Sequence, residues 1–354
     1  MNVTPKPLRH LSALIESGLA PPDKREALQN VAAQYAVAIT PAMAELIDIT
    51  DPDDPIARQF VPDAAELERQ PDESADPIGD HAHRPVEGIV HRYPDRVLLK
   101  LTHVCAVYCR FCFRREMVGP GKPNALSAEA RERALAYIAA HPEIWEVILT
   151  GGDPLVASAR RLSETLRALA AIGHVKVLRI HTRVPIAAPE TVTPALVRAL
   201  KVGAKPTYVA VHVNHARELA RDQRAAIVRL ADAGIPLLGQ TVLLKGVNDT
   251  VESLEALTRA LVECRIKPYY LHQADLARGT AHLRTDIETG QALMRALRGR
   301  VSGLCQPEYV LDIPGGHGKA PIGPNYLKSA QAGVAVTDFT GASHVYPPKA
   351  DEAD

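Results

Sequence analysis

From Arg96 onward, apolar runs of strand length alternate with longer amphipathic stretches. Val97 to Leu101, Glu146 to Leu149, Val175 to Ile180, Thr207 to His212, Pro236 to Leu243 and Pro268 to Leu271 are β-branched, leucine- or tyrosine-rich and read as strands. Helix patterns with start signals lie between several of them: Ser127 before Ala128 to Ala140, Thr193-Pro194 before Ala195 to Val202, and Asp249 before Val251 to Glu263. Connections this long imply parallel strands, because parallel neighbours need a crossover. Periodicity alone leaves a doubly wound open sheet and a barrel both open. Chemically suggestive residues recur where strands end, at Thr102 to Cys112, Thr150 to Asp153, His181 to Arg183, His212 to His215, Gln240 and His272 to Asp275. A single crowded face at the carboxyl ends of several strands favours an α/β fold of the partial (β/α)6, TIM-like kind.

The first eighty residues carry interrupted helical patterns at Ala13 to Leu19, Arg25 to Val37 and Pro41 to Leu46. Asp51 to Asp80 is rich in Asp and Pro and resists regular structure. The expected organisation is an N-terminal helical and irregular extension over 1–85, the partial barrel over 86–300, and a C-terminal segment over 301–354.

At 354 residues the chain is long enough for one large α/β domain with extensions. Lys plus Arg and Asp plus Glu both number 41, so no basic excess points to nucleic acid or an anionic membrane. A small-molecule partner is expected. Five cysteines, three of them clustered, make a poor disulfide framework and indicate the reducing cytoplasm. No signal-peptide core and no bilayer-length apolar run is visible, so a soluble cytoplasmic protein is expected.

Cys105, Cys109 and Cys112 are spaced C-x3-C-x2-C just after the apolar run Val97 to Leu101. Three thiolates so placed can hold a four-iron, four-sulfur (4Fe-4S) cluster by three irons and leave the fourth open to a ligand. A zinc site or buried structural thiols are the alternatives, although zinc would want a fourth Cys or His and the remaining cysteines are remote. Thr150-Gly151-Gly152-Asp153-Pro154 follows a strand, where glycines let backbone approach a ligand with free N–H groups; an ordinary tight turn is the plainer account. Asp312-Ile-Pro-Gly315-Gly316-His-Gly318-Lys319-Ala-Pro321 places a lysine in a glycine-rich loop after the strand-like Glu308 to Leu311. Ala320 and Pro321 after the lysine exclude a P-loop, whereas an amine that condenses with the aldehyde of pyridoxal phosphate fits. His91-Arg92-Tyr93-Pro94-Asp95-Arg96 offers two guanidiniums and an aromatic ring for a phosphate, or simply a solvated turn.

Taken in order, these segments resemble the lysine 2,3-aminomutase family, from about Thr40 to Tyr326. The shared stretches include Ile47 to Pro55, His91 to Arg96, the cysteine loop with Phe111 before its last cysteine, Thr150 to Asp153, Gly239 to Asp249, Pro268 to Asp275 and Asp312 to Lys319. The resemblance implies a radical S-adenosylmethionine barrel and three cofactors: a 4Fe-4S cluster on Cys105, Cys109 and Cys112, S-adenosyl-L-methionine, and pyridoxal 5′-phosphate. It implies that Lys319 holds the pyridoxal aldehyde, that Arg92, Tyr93, Arg96 and Gln240 surround that cofactor, and that Gly151, Gly152 and Asp153 bind S-adenosylmethionine. Arg114 would pair with the substrate α-carboxylate, and Asp275 and Asp312 with the ε-ammonium of L-lysine. Two neighbouring carboxylates in a buried pocket repel unless a cation lies between them, which suits lysine and disfavours glutamate. The implied reaction is the interconversion of L-α-lysine and β-lysine by a 5′-deoxyadenosyl radical.

An external electron donor such as flavodoxin or ferredoxin, and a homo-oligomer, are further expectations of the resemblance. Longer members carry a zinc-binding cysteine tail, and the residues following Pro347 contain no cysteine, so that zinc is not expected here. β-Lysine production for elongation factor P, an aminomutase of another amino acid, and a non-catalytic iron-sulfur or zinc module are the other readings.

Overall fold

The computed structural model describes residues 6–119, 121, 125–330 and 333–347. Nine strands share one sheet in chain order: β1 (Ile89–Tyr93), β2 (Arg96–Thr102), β3 (Glu146–Gly151), β4 (Val177–Thr182), β5 (Thr207–His212), β6 (Leu237–Leu243), β7 (Ile266–Gln273), β8 (Glu308–Ile313) and β9 (Gly318–Pro321). Strands β2 to β8 pair in parallel. Strands β1 and β9 are added antiparallel at the two margins. The six parallel steps cross over through helices Ala128–Ala140, Ala159–Ala171, Pro194–Leu200, Arg221–Asp232, Val251–Glu263 and Ile287–Leu297. Six β/α units closed by a seventh parallel strand form the partial barrel expected from the sequence, with Glu308 to Ile313 supplying that last strand.

Helix starts follow hydroxyl chemistry. Ser127 accepts the Ala130 N–H at 3.1 Å and Thr193 the Leu196 N–H at 3.3 Å, each satisfying an otherwise orphaned donor of the first turn. The helix Val251–Glu263 departs from expectation by one residue. Thr250 caps it by accepting the Ser253 N–H at 3.2 Å, while Asp249 accepts the Gly246 N–H at 2.9 Å and closes the preceding turn.

Strand alternation explains where the core and the cavity lie. Val97, Leu99, Val147, Leu149, Leu178, Ile180, Val209 and Val211 are buried in the same apolar cluster as the helix residues Leu162, Leu166, Ile227 and Leu230. The alternate residues, Glu146, Thr150, Arg179, His181, His212, Gln240, Tyr270, His272 and Asp312, line a cavity enclosed by the sheet. The apolar face packs outward on the helices and the polar face turns inward.

The N-terminal extension packs Leu14, Leu28, Ile39, Met43, Ile56 and Phe60 into that same cluster. Its Asp- and Pro-rich stretch forms only short helical turns, yet it delivers Asp54, Glu66 and Asp80 as buried carboxylates. Beyond β9 a separate three-stranded antiparallel sheet contains Leu327–Ser329, Val334–Thr337 and Ser343–Tyr346. Residues 348–354, part of the cysteine-free tail, lie outside the described residues. Among those described, no helix is long and apolar enough to cross a membrane.

Candidate active site

A single cavity of about 710 Å³ occupies the barrel interior, a volume that accommodates cofactor-sized ligands. Every site residue expected from the sequence lines it: Cys105, Cys109, Cys112, Arg114, Gly151, Gly152, Asp153, Arg92, Tyr93, Arg96, Gln240, Asp275, Asp312 and Lys319. The cavity is not confined to the carboxyl ends of the strands. It reaches Arg96 and Glu308, the first residues of β2 and β8, and polar side chains share the inward positions with Leu98, Ile148, Val242 and Val310.

The three cysteines sit half-buried on the loop leaving β2. Burial raises all three thiols, Cys112 to about 11, and neighbouring cysteine charge raises Cys105 and Cys112 further. Thiols set this way become ligands when a cation takes the place of their protons. Arg183 donates through Nη1 to Cys109 Sγ at 3.2 Å and through Nη2 to Gln59 and Glu218 at 2.7 and 2.6 Å. The Phe111 ring stacks on His212, their centroids 5.4 Å apart, and floors the space beside the cysteines. No three His, Cys, Asp or Glu side chains among the described residues are disposed to hold a single metal ion. A cluster makes a different demand, since each thiolate binds its own iron.

The Gly-Gly-Asp turn works differently from its sequence reading. The N–H groups expected to be free are spent on the cysteine loop: Gly152 donates to Thr102 O at 2.6 Å and Asp153 to Val104 O at 2.9 Å. A Cβ on Gly151 would lie 2.3 Å from Thr102 O, and one on Gly152 2.3 Å from Val104 O, so both glycines are required by this close approach of two backbones. The Asp153 carboxylate is likewise occupied, accepting from Thr182 Oγ1 and from the N–H groups of Leu155, Arg183 and Val184. Asp153 therefore clamps the β3 and β4 loops together, and the turn faces the cavity chiefly with backbone.

Lys319 also departs from expectation. It lies on β9 rather than in a loop, because Pro314 to His317 form a tight turn, with Gly315 and Gly316 both at φ +85°, that folds β9 back on β8 with Lys319 opposite Asp312. The Lys319 N–H donates to Tyr93 Oη at 2.6 Å, joining the two margins of the sheet. Its Nζ donates to Asp312 Oδ2 and lies 3.5 Å from His272 Nδ1. Burial opposes the Asp312 charge, but the His272 hydrogen bond and the Lys319 ammonium outweigh it and hold this carboxylate well below its usual range. No donor reaches the Asp275 side chain among the described residues. Burial, with Asp312 adding to it, pushes Asp275 up to about 7.

Asp80, which no motif singles out, organises the cations. Its Oδ1 accepts from Arg92 Nη2 at 3.2 Å, and its Oδ2 from Arg114 Nη2 at 3.0 Å and Lys100 Nζ at 3.3 Å. Burial would raise this carboxylate, yet Arg114 and Lys100 bring it down to about 2. Arg96 stacks 3.7 Å over the Tyr93 ring and donates to Asp95 at 2.6 Å.

Residues 99–258 match the model of the Radical SAM superfamily, and residues 294–353 that of Lysine-2,3-aminomutase. The L-lysine 2,3-aminomutase of Acetoanaerobium sticklandii is 40% identical over 94% of this chain and 79% of its own length. The L-lysine 2,3-aminomutase of Escherichia coli is 38% identical over 81% of this chain and 83% of its own. The glutamate 2,3-aminomutase of Clostridioides difficile is 37% identical over 86% and 72%. The chain belongs to the lysine 2,3-aminomutase family.

The cavity fits what the lysine 2,3-aminomutase family requires. Three clustered thiols meet an iron-sulfur cluster at one end. Buried donor or acceptor atoms that have no partner among the described residues, Arg92 Nε, His181 Nε2 and His212 Nε2, belong to residues lining the cavity and are available to a polar ligand.

Behind the cysteine loop, Glu66 receives Arg110 Nε at 2.9 Å and is also bonded by Arg115. Burial works against the Glu66 charge, and the two arginines reverse it, holding the carboxylate low. Glu66→Gln leaves two buried guanidiniums uncompensated and is expected to cost roughly 3–5 kcal/mol. Urea unfolding of the metal-free chain checks this. Because the native pKa is depressed, the Glu66 contribution is full above the ordinary glutamate range and disappears as pH falls through the lower native value.

Proposed function

We infer that this chain interconverts L-lysine and β-lysine, moving the amino group between the α- and β-carbons with a 4Fe-4S cluster, S-adenosylmethionine and pyridoxal phosphate. The observation that supports the reading is the shared cavity, whose lining includes the cysteine trio together with Lys319 and its two aspartates. When bound, these groups supply a hydrogen-abstracting carbon radical and a π-system that spreads an unpaired electron beside the migrating nitrogen.

The residues of the chain bind, orient and shield. Cys105, Cys109 and Cys112 would hold the cluster, with Arg183 stabilising negative charge on Cys109. Lys319 would hold the pyridoxal aldehyde, and Arg92 and Arg96 its phosphate, with Tyr93 and Gln240 alongside. Gly151 and Gly152 would face S-adenosylmethionine with backbone. Arg114 offers a planar fork to the substrate carboxylate. The enclosing sheet and collar exclude water from a reactive intermediate. Reduction of the cluster calls for an external one-electron donor of the flavodoxin or ferredoxin class.

The acid pair selects lysine over glutamate. In this structure Asp312 already holds an alkylammonium, that of Lys319. With Lys319 committed to the cofactor, Asp275 and Asp312 are left without that cation, and a substrate ε-ammonium restores the balance whereas a γ-carboxylate adds a third negative charge. Anaerobic assay of the reconstituted protein with lysine, glutamate, S-adenosylmethionine, pyridoxal phosphate and a reductant tests this. β-Lysine as the product supports it, and turnover of glutamate alone overturns it.

Asp275 also sets an expected pH dependence. The ammonium binds to the ionised carboxylate, and commitment of Lys319 to the cofactor removes a cation that holds Asp275 down, so the KM for lysine should rise by up to about tenfold per unit as pH falls below a value at or above about 7. Asp275→Asn should flatten that rise and lift KM by on the order of 100-fold. Steady-state kinetics from about pH 5.5 to about pH 9, a range that spans the Asp275 value, check both.

A further inference from the structure

Four buried or nearly buried charged groups meet at the cavity wall: Arg92 and Arg114, which line the cavity, and Asp80 and Lys100, which lie outside its lining. One carboxylate faces three cations. Lys100 lies on β2 within an otherwise apolar run, and its side chain is 3% exposed. An ammonium in such a place is costly unless it does something a neutral side chain would not. Its carboxylate partner is shared with two guanidiniums that have other tasks, and this sharing decides how much positive charge each can offer.

We propose that Lys100 is a positioning residue that balances Asp80, so that the guanidiniums of Arg114 and Arg92 keep net positive charge for two anions, the substrate carboxylate and the cofactor phosphate. This rests on the roles given above to Arg114 and Arg92. Asp80 then acts as a scaffold: it fixes Arg92 through Oδ1 and Arg114 through Oδ2, while Ile78 O accepts a second Arg92 bond at 2.7 Å and Thr150 Oγ1 accepts from Arg114 at 3.4 Å. Without the Lys100 charge the same carboxylate would neutralise one arginine. With it, the four groups carry two net positive charges, one for each expected anion.

The surroundings permit a pH signature. Burial and Arg114 bring Lys100 down to about 8 against the pull of Asp80. Arg84, Glu87, His103 and Glu116 line the space on its other side. Loss of the Lys100 proton above pH 8 should therefore weaken anion binding in the wild type.

The test compares wild type, Lys100→Met, Lys100→Arg and the double variant Asp80→Asn/Lys100→Met as reconstituted enzymes depleted of pyridoxal phosphate. Titration with pyridoxal phosphate, and with pyridoxal as the phosphate-free probe, is read by imine absorbance, and lysine kinetics follow after reloading. Lys100→Met should weaken pyridoxal phosphate binding and raise the lysine KM by about tenfold each, leaving pyridoxal binding and kcat within about twofold. Lys100→Arg should restore both, and the double variant should recover at least about threefold of the loss without reaching wild type, because the excess negative charge is gone while asparagine offers the two guanidiniums only one acceptor. Equal weakening of pyridoxal and its phosphate, a fall in kcat at constant KM, or a double variant worse than Lys100→Met overturns the proposal. Should wild type make no β-lysine, the proposed substrate fails, while the two titrations still judge Lys100.

Discussion

A Cys109→Ala variant is expected to reconstitute without an intact 4Fe-4S cluster and to form no β-lysine above background, a loss on the order of 10⁴-fold or more. The cysteine loop has no spare ligand to offer. Cys264 and Cys305, the other two cysteines, are buried in remote elements, Cys264 ending the helix Val251–Glu263 and Cys305 closing a turn before β8. Cys109 is also the thiol held by Arg183, so its removal leaves that guanidinium with Gln59 and Glu218 alone. Iron and sulfide content and the cluster's visible absorption give the direct readout, independent of turnover. A variant that keeps four irons per chain and full activity would sink the cluster assignment.

Lys319→Ala is the second large effect, with an expected loss on the order of 10³-fold in turnover. The residue supplies the β9 ammonium that Asp312 holds, and its removal should abolish the yellow imine absorbance on adding pyridoxal phosphate. The alanine variant also empties the ammonium position beside Asp312. Free lysine or a simple alkylamine should then bind there more readily than in the unloaded wild type, where Lys319 competes. Calorimetric titration of cofactor-free protein checks that gain. Because Tyr93 accepts from the backbone N–H of residue 319, the hairpin itself should survive the substitution.

The cysteine trio, Lys319 and the acid pair could be read from the sequence because each is marked by short-range spacing or by a resemblance that covers the motif. The strand-helix alternation was equally visible, since outward-facing Val, Leu and Ile give apolar runs. What those runs concealed was their inward parity. Arg179 and Glu146 sit inside or beside apolar stretches, and only the period of two, followed through each strand, would have separated them as cavity residues. The acids of the collar were hidden for another reason. Asp54, Glu66 and Asp80 stand in a stretch whose Asp and Pro content reads as turns, and turns they are, yet their carboxylates reach arginines far along the chain: Arg217, Arg110 and Arg115, and Arg92 and Arg114. Such long-range pairs leave no local signature. The glycines before Lys319 pointed to a loop because Gly315 and Gly316 do form a turn; that the turn would return as a paired strand depended on β8 being present to receive it.

The gap between β1 and β9 has a mechanical meaning. A residue in an interior strand is tied by ladders on both flanks and can shift only by tearing two of them, whereas the ribbon bearing Lys319 is stitched to β8 on one side and, on the other, is held by the Tyr93 phenol at Lys319 and by His83 at Gly316. If Lys319 exchanges a pyridoxal imine with the substrate amine, keeping its own nitrogen while the aldehyde carbon passes across, the excursion this asks of the ribbon strains the Tyr93 link first, with His83 holding the turn at Gly316.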